Sequence, residues 1–164
     1  MRVYVPGTWT TLSQLWDTGE LGPAPLVGCA VTPMLREWYL DDDVDELEYA
    51  AMAEAARMSL RLLPRDVKVP RRRVVIAAEM PAAAVEPDSV AGRAHVVISA
   101  AAALASVASV HVDEADAASM IAAAIEALPR ADAGDEDAAF VVDEANSREL
   151  LWYATQEIPD LLSP

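Results

Sequence analysis

The sequence predicts an α+β fold: a mixed β-sheet of about five strands with four to five helices packed on it. Three observations carry this. The runs 26–31 (LVGCAV) and 74–78 (VVIAA) are fully apolar, have strand length and suit strands covered on both faces. Helical periodicities follow Asp43 and Asp113, each a good N-cap. Two strand-then-helix units open the chain and point to a parallel core with right-handed crossovers, to which alternating middle segments add antiparallel strands.

Arg2 to Val5 reads as a short strand. Pro6-Gly7 is a turn, and Thr8 caps a helix carrying Trp9, Leu12, Leu15 and Trp16, which Gly19 ends. The segment GELGPAP is a loop by composition. After the strand at 26–31, Thr32 caps and Pro33 starts a helix with Met34, Leu35, Trp38 and Tyr39. Asp41-Asp42-Asp43 breaks it. From Asp43 to Leu63, Val44, Leu47, Ala51, Ala55, Met58 and Leu62 recur at steps of three and four and mark one side of a long helix. Pro64 closes it.

Residues 67–73 form a basic, extended link. Strands are expected at 74–78, 95–99 and 107–112, the last with Ala108, Val110 and Val112 on one face. The alanine run at 100–106 fits helix or turn. A second long helix, capped by Asp113, carries Ala117, Met120, Ile121, Ala124, Ile125 and Leu128 and ends at Pro129. Both long helices are expected to lie on the same sheet. Residues 131–137 are an acidic loop, 140–142 a short strand or helix start, and the tail a last helix stopped by Pro159.

At 164 residues the chain reads as one domain, 1–164. Such a length buries roughly 70% of the extended surface without staples. The net charge of −15 repels nucleic-acid phosphates and anionic headgroups, so neither nucleic acid nor a membrane is expected as a partner. Cys29 is the sole cysteine and sits in an apolar run, as a small core residue does. The opening MRVYVPGTW does not read as a signal peptide, because Pro6 interrupts a short apolar run. A cytoplasmic protein is the resulting expectation.

The opening MRVYVP, the LREWY segment, ELEYAAMAEAARMSLRLL, HVDEADA and the closing ELLWYATQEIPDLL together resemble an uncharacterised family of actinobacterial proteins, a domain of unknown function. The resemblance covers the whole chain, with the tail motif its most specific part. It implies a lineage and a cytosolic setting, and it supplies no catalytic residue.

No GxGxxG, GxxxxGK, CxxC, HExxH or GxSxG pattern occurs, and no cofactor is expected. Four features remain. Asp41, Asp42 and Asp43, with Asp45, Glu46 and Glu48, offer oxygen ligands for Mg²⁺ or Ca²⁺, although they lack the glycine and spacing of a calcium loop and equally suit a solvated helix start. His111 lies at a strand end. In a parallel sheet Thr8, Thr32, Glu79, His111 and Asp113 would converge there, with His111 shuttling a proton and Asp113 or Glu79 orienting it. A histidine merely bonded within the fold is the plainer reading. Arg71, Arg72 and Arg73 belong to five basic residues, of twelve in all, within nine positions, and either balance internal charge or dock an acidic partner. Trp38-Tyr39 and Trp152-Tyr153 are core, a homodimer seam or a partner groove. The expected function is a non-catalytic protein-interaction or regulatory domain. The alternative is an enzyme or small-ligand-binding domain with its site near His111.

Overall fold

Val3 and Val5 of the first strand face one layer of helices and Tyr4 faces another, so the centre of the sheet is buried on both sides. The computed structural model describes residues 1–40 and 43–163. In chain order the elements are β1 (Arg2–Gly7), α1 (Trp9–Thr18), β2 (Glu20–Leu21), β3 (Leu26–Ala30), α2 (Pro33–Trp38), α3 (Val44–Leu62), β4 (Val74–Glu79), β5 (Val85–Pro87), β6 (His95–Ile98), β7 (Ala102–Ala103), β8 (Val107–Val112), α4 (Ala118–Asp132), α5 (Glu136–Ser147), β9 (Leu151–Tyr153) and α6 (Ile158–Leu162). The α+β class is as the sequence predicts.

Seven strands form one sheet in the order β5-β6-β3-β1-β4-β8-β9, and β2 pairs with β7 beside it. Every neighbouring pair is antiparallel, so the parallel core expected from the leading β-α units is not there. The reason lies in the GELGPAP stretch. It is not merely a loop: Glu20–Leu21 is a strand beside α1 that pairs with β7, and the chain then bends through residues 23–25 before β3. That third leg reverses the chain, and β3 enters antiparallel to β1. The apolar runs at 26–31 and 74–78 report two covered faces, not strand direction.

On one face Val3, Val5, Val74, Ile76, Val110 and Val112 pack against Leu12 and Leu15 of α1 and Ile158 of α6. On the other, Tyr4, Cys29, Val75 and Ala77 pack against Leu47, Ala51 and Ala55 of α3. Small alanines on both surfaces let this helix approach closely. Asp43 caps α3, accepting from the Asp45 N–H at 3.0 Å. Ser59 fixes its far end: the Oγ donates to Gly7 O at 2.7 Å and accepts from Val74 N at 3.0 Å. Further along, Leu60 and Leu63 leave the sheet and meet Ile121, Ala124 and Leu128 of α4.

Several local expectations change. Asp113 does not cap the second long helix, which starts at Ala118 after a 3₁₀ turn, and that helix packs on α5 and α3 instead of on the sheet. It runs through Pro129 in its last turns, where few hydrogen bonds remain to be lost. The acidic loop supplies Asp135 as the cap of α5, which takes in residues 140–142. In the tail, Leu151–Tyr153 is a strand, as its β-favouring residues suit, and Pro159 opens α6 where it was expected to stop a helix. A bulge in β8 sets Ala77 opposite Ser109 and Ala78 opposite Val107, so Val107 joins the core and Ala108 turns outward.

Candidate functional site

The antiparallel sheet disperses the residues expected to converge. His111 stands opposite Val75 on β4 and Trp152 on β9, on the face that α3 covers at its centre. Its Nε2 lies 3.0 Å from Ser109 Oγ. Burial, and then the nearby Arg2 charge, push its pKa below the ordinary histidine value. Glu79 sits four residues beyond Val75, about 13 Å along β4. There it accepts from Arg2 Nε at 2.6 Å, and this hydrogen bond holds its carboxyl below the usual range. Thr8 donates to Asp66 at 2.8 Å. Asp113 points inward, and Thr32 serves α2. Among the described residues no hydrogen bond joins these groups to His111.

Of the arginine run, Arg73 is inside the fold and Arg71 and Arg72 are half-buried. Arg73 is fully buried. Its Nε and Nη2 donate to the two oxygens of Asp113 at 2.9 and 2.8 Å, its backbone N–H donates to the same carboxylate at 2.8 Å, and Nη2 also reaches Arg148 O at 2.9 Å. Nη1 has no hydrogen-bond partner among the described residues. Arg72 stacks on Trp9, 4.6 Å from the ring centre, and donates to Asp113 O. Arg71 donates to the carbonyls of Leu63 and Asp66 below α3. These side chains are cement between β4, β8 and the end of α3, which removes Arg73 as a docking residue. The signal for this was the pairing itself: Arg73 and Asp113 are the residues just outside the facing pair Val74 and Val112.

Asp41 and Asp42 lie outside the described residues. Among the described residues no group of three or more His, Cys, Asp or Glu side chains is placed to hold a metal ion, and no helix is long and apolar enough to cross a membrane.

The two Trp-Tyr pairs occupy different places. Trp152, 62% exposed, lies on the edge strand β9 beside His111. Trp38, also 62% exposed, lies at the end of α2 with its ring 3.5 Å from the Arg93 guanidinium, just before β6. Five strand spacings separate β6 from β9, about 24 Å. On α2 and the start of α3 the apolar side chains Met34, Tyr39, Leu40, Val44 and Tyr49 are exposed, interleaved with the charged Glu37, Asp45, Glu46 and Arg57. Three open recesses adjoin here. One of about 440 Å³ lies between Met34, Trp38 and Arg93. One of about 250 Å³ lies between Trp38, Ala50, Arg57 and Arg93. The third, about 540 Å³, runs along α3 past Tyr39, Tyr49 and Arg57.

Thr32 ties this surface together. Its Oγ1 accepts from Leu35 N at 3.1 Å, capping α2, and donates to the Arg93 carbonyl. Ala30 N bonds the next carbonyl, Ala94 O, at 2.9 Å. The turn before Arg93 is equally fixed, with Ala91 N and Gly92 N both donating to Asp88 O. Gly92 passes so close to His95 that an added Cβ would lie 2.7 Å from the ring.

Over residues 1–162 the chain matches a family of unknown function, DUF6912, and it belongs to that family. No curated protein and no solved structure matches it.

Proposed function

We propose that this member of a family without an assigned activity is a non-catalytic protein-interaction domain of the cytoplasm, and that its docking face spans α2 and the outer side of α3. One observation carries the reading: the exposed apolar side chains Met34, Trp38, Tyr39 and Tyr49 line adjoining recesses instead of scattering. Clustered exposed apolar groups mark interaction surfaces far better than single ones do. Aromatic residues in such a setting carry much of the binding energy of an interface. The partner is a second copy or another protein, not nucleic acid or a membrane, given the net charge of −15.

The test is to isolate the partner from the native host with the immobilised chain, purify it and titrate variants. Trp38→Ala and Tyr49→Ala are each expected to weaken binding by about tenfold or more, with Trp152→Ala unchanged. Equal binding by all three variants overturns the face. Sedimentation of the chain alone at high micromolar concentration separates self-association from a different partner.

A small-ligand or catalytic site near His111 is a second reading. It is favoured by the half-buried imidazole bonded to Ser109, with the exposed Trp152 across the strand pair. A small metabolite that raises Tm in the wild type and not in His111→Ala would support it. A metabolite set that leaves both melting curves alike removes it.

A further inference from the structure

Building on the docking face proposed above, we infer that Arg93 is a receptor for the carboxylate of an acidic side chain on the partner protein, with Trp38 as its platform. First comes what Arg93 lacks. It is exposed, its guanidinium lies 3.5 Å from the Trp38 ring, and among the described residues nothing accepts a hydrogen bond from it. Basic residues are outnumbered in this chain, 12 against 27 acidic ones. Most of those elsewhere are engaged: Arg2 by Glu79, Arg61 by Asp132, Arg73 by Asp113 and Arg148 by Glu114. Stacking on an aromatic face fixes the guanidinium plane and leaves its N–H groups free at the rim.

The second observation is rigidity. Thr32 and Ala30 hold the backbone on either side of the Arg93–Ala94 peptide, and the same Thr32 caps the helix that presents Trp38. A receptor fixed before binding loses less entropy when it binds. The third observation is charge. The recess of about 250 Å³ beside Arg93 holds Arg57, Arg93 and Glu54. Glu54 is already engaged by Arg57 at 3.1 Å and by His95 at 3.2 Å. The recess is therefore net positive within a strongly negative molecule. Glu37 lines the recess of about 440 Å³ on the other side of Trp38 and Arg93. A planar fork with free donors matches a carboxylate, which it binds through two parallel hydrogen bonds. The apolar walls, Leu35, Trp38 and Tyr39, suit an aliphatic side chain next to the acid.

The experiment uses the full chain, labelled with nitrogen-15, and the peptide acetyl-Leu-Glu-Glu-Leu-amide as probe. The Arg93 Nε–H and Trp38 indole N–H signals are expected to shift saturably with this peptide. The matched Leu-Gln-Gln-Leu peptide should bind at least about threefold more weakly. Arg93→Gln should abolish the indole shift, and Arg93→Lys, which keeps the charge without the fork, should retain only part of it. Melting curves establish that each variant folds. Overturning results are no shift with the glutamate peptide, equal shifts with both peptides, or the same saturable shift with inorganic phosphate or sodium acetate alone. The isolated partner separates this proposal from the one it rests on. Full binding by Arg93→Gln with loss in Trp38→Ala overturns the carboxylate contact and leaves the docking face standing. Full binding by both removes the face as well.

Discussion

Two arginines of this protein meet opposite fates. Arg73 is sealed between β4 and β8, and its carboxylate, Asp113, is part of the same chain. Arg93 has a tethered backbone and an indole beside its guanidinium, yet the side chain is exposed. A buried guanidinium must bring its counter-charge into the fold with it, because the cost of leaving it unpaired in low dielectric is several kcal/mol. An exposed one faces no such demand. The difference teaches that burial of the partner, rather than the clustering of basic residues along the chain, separates structural arginines from candidate binding ones.

Changes on the sealed side should cost the most. Arg73→Ala or Asp113→Ala leaves one charge buried alone and should lower stability by about 3–5 kcal/mol, read from urea unfolding. The double change Arg73→Met with Asp113→Leu should recover much of that loss. A single change costing under about 1 kcal/mol would show that this pair is not sealed, and the contrast with Arg93 would fail. Next comes Ser59→Ala, which strips the partner from the buried Val74 N–H and should cost about 1–3 kcal/mol in the same assay. Thr32→Ala works on the open side. It removes the α2 cap and the tether on Arg93, so about 1 kcal/mol should be lost. The Trp38 indole signal should also broaden or move, which Ser59→Ala should not cause.

The smallest effect concerns His111. Its folded pKa lies below the ordinary value of about 6.5 because of burial and then Arg2. The unfolded chain therefore binds the proton more readily than the folded one. Stability from this group is present above about pH 6.5 and is lost as pH falls through the lower, folded pKa. His111→Gln should flatten that part of the stability profile, and nuclear magnetic resonance should place the histidine midpoint below 6.5. A midpoint above it would mean that the imidazole is not desolvated as the fold implies.

The α3 helix was legible because its cap, stripe and terminator all agree in one continuous stretch. The sheet direction was not, since it hinges on a stretch of loop composition that holds the short strand β2 and a bend. Asp113 has every mark of a cap until Arg73 is seen facing it, and such a contact, 40 residues apart, has no local signature. Trp38 stood out with Tyr39 as core or interface, and its exposure was not legible. Arg93 did not stand out, because a lone arginine in a turn gains meaning only when Thr32 brings α2 over it. In the tail, the Leu151-Trp152-Tyr153 run carried a strand signal that a helical spacing of Leu150, Tyr153 and Ala154 outweighed.

The taper of the sheet has a consequence of its own. Its inner strands β1, β4 and β8 are six residues long, while the rims β5 and β9 have three each, and β5 ends at Pro87. Few backbone groups are left along either border to template another chain, and the proline withholds one donor from that few. Ribbon-like growth from molecule to molecule is thereby discouraged at both margins, and whatever joins this protein must be recognised by its side chains.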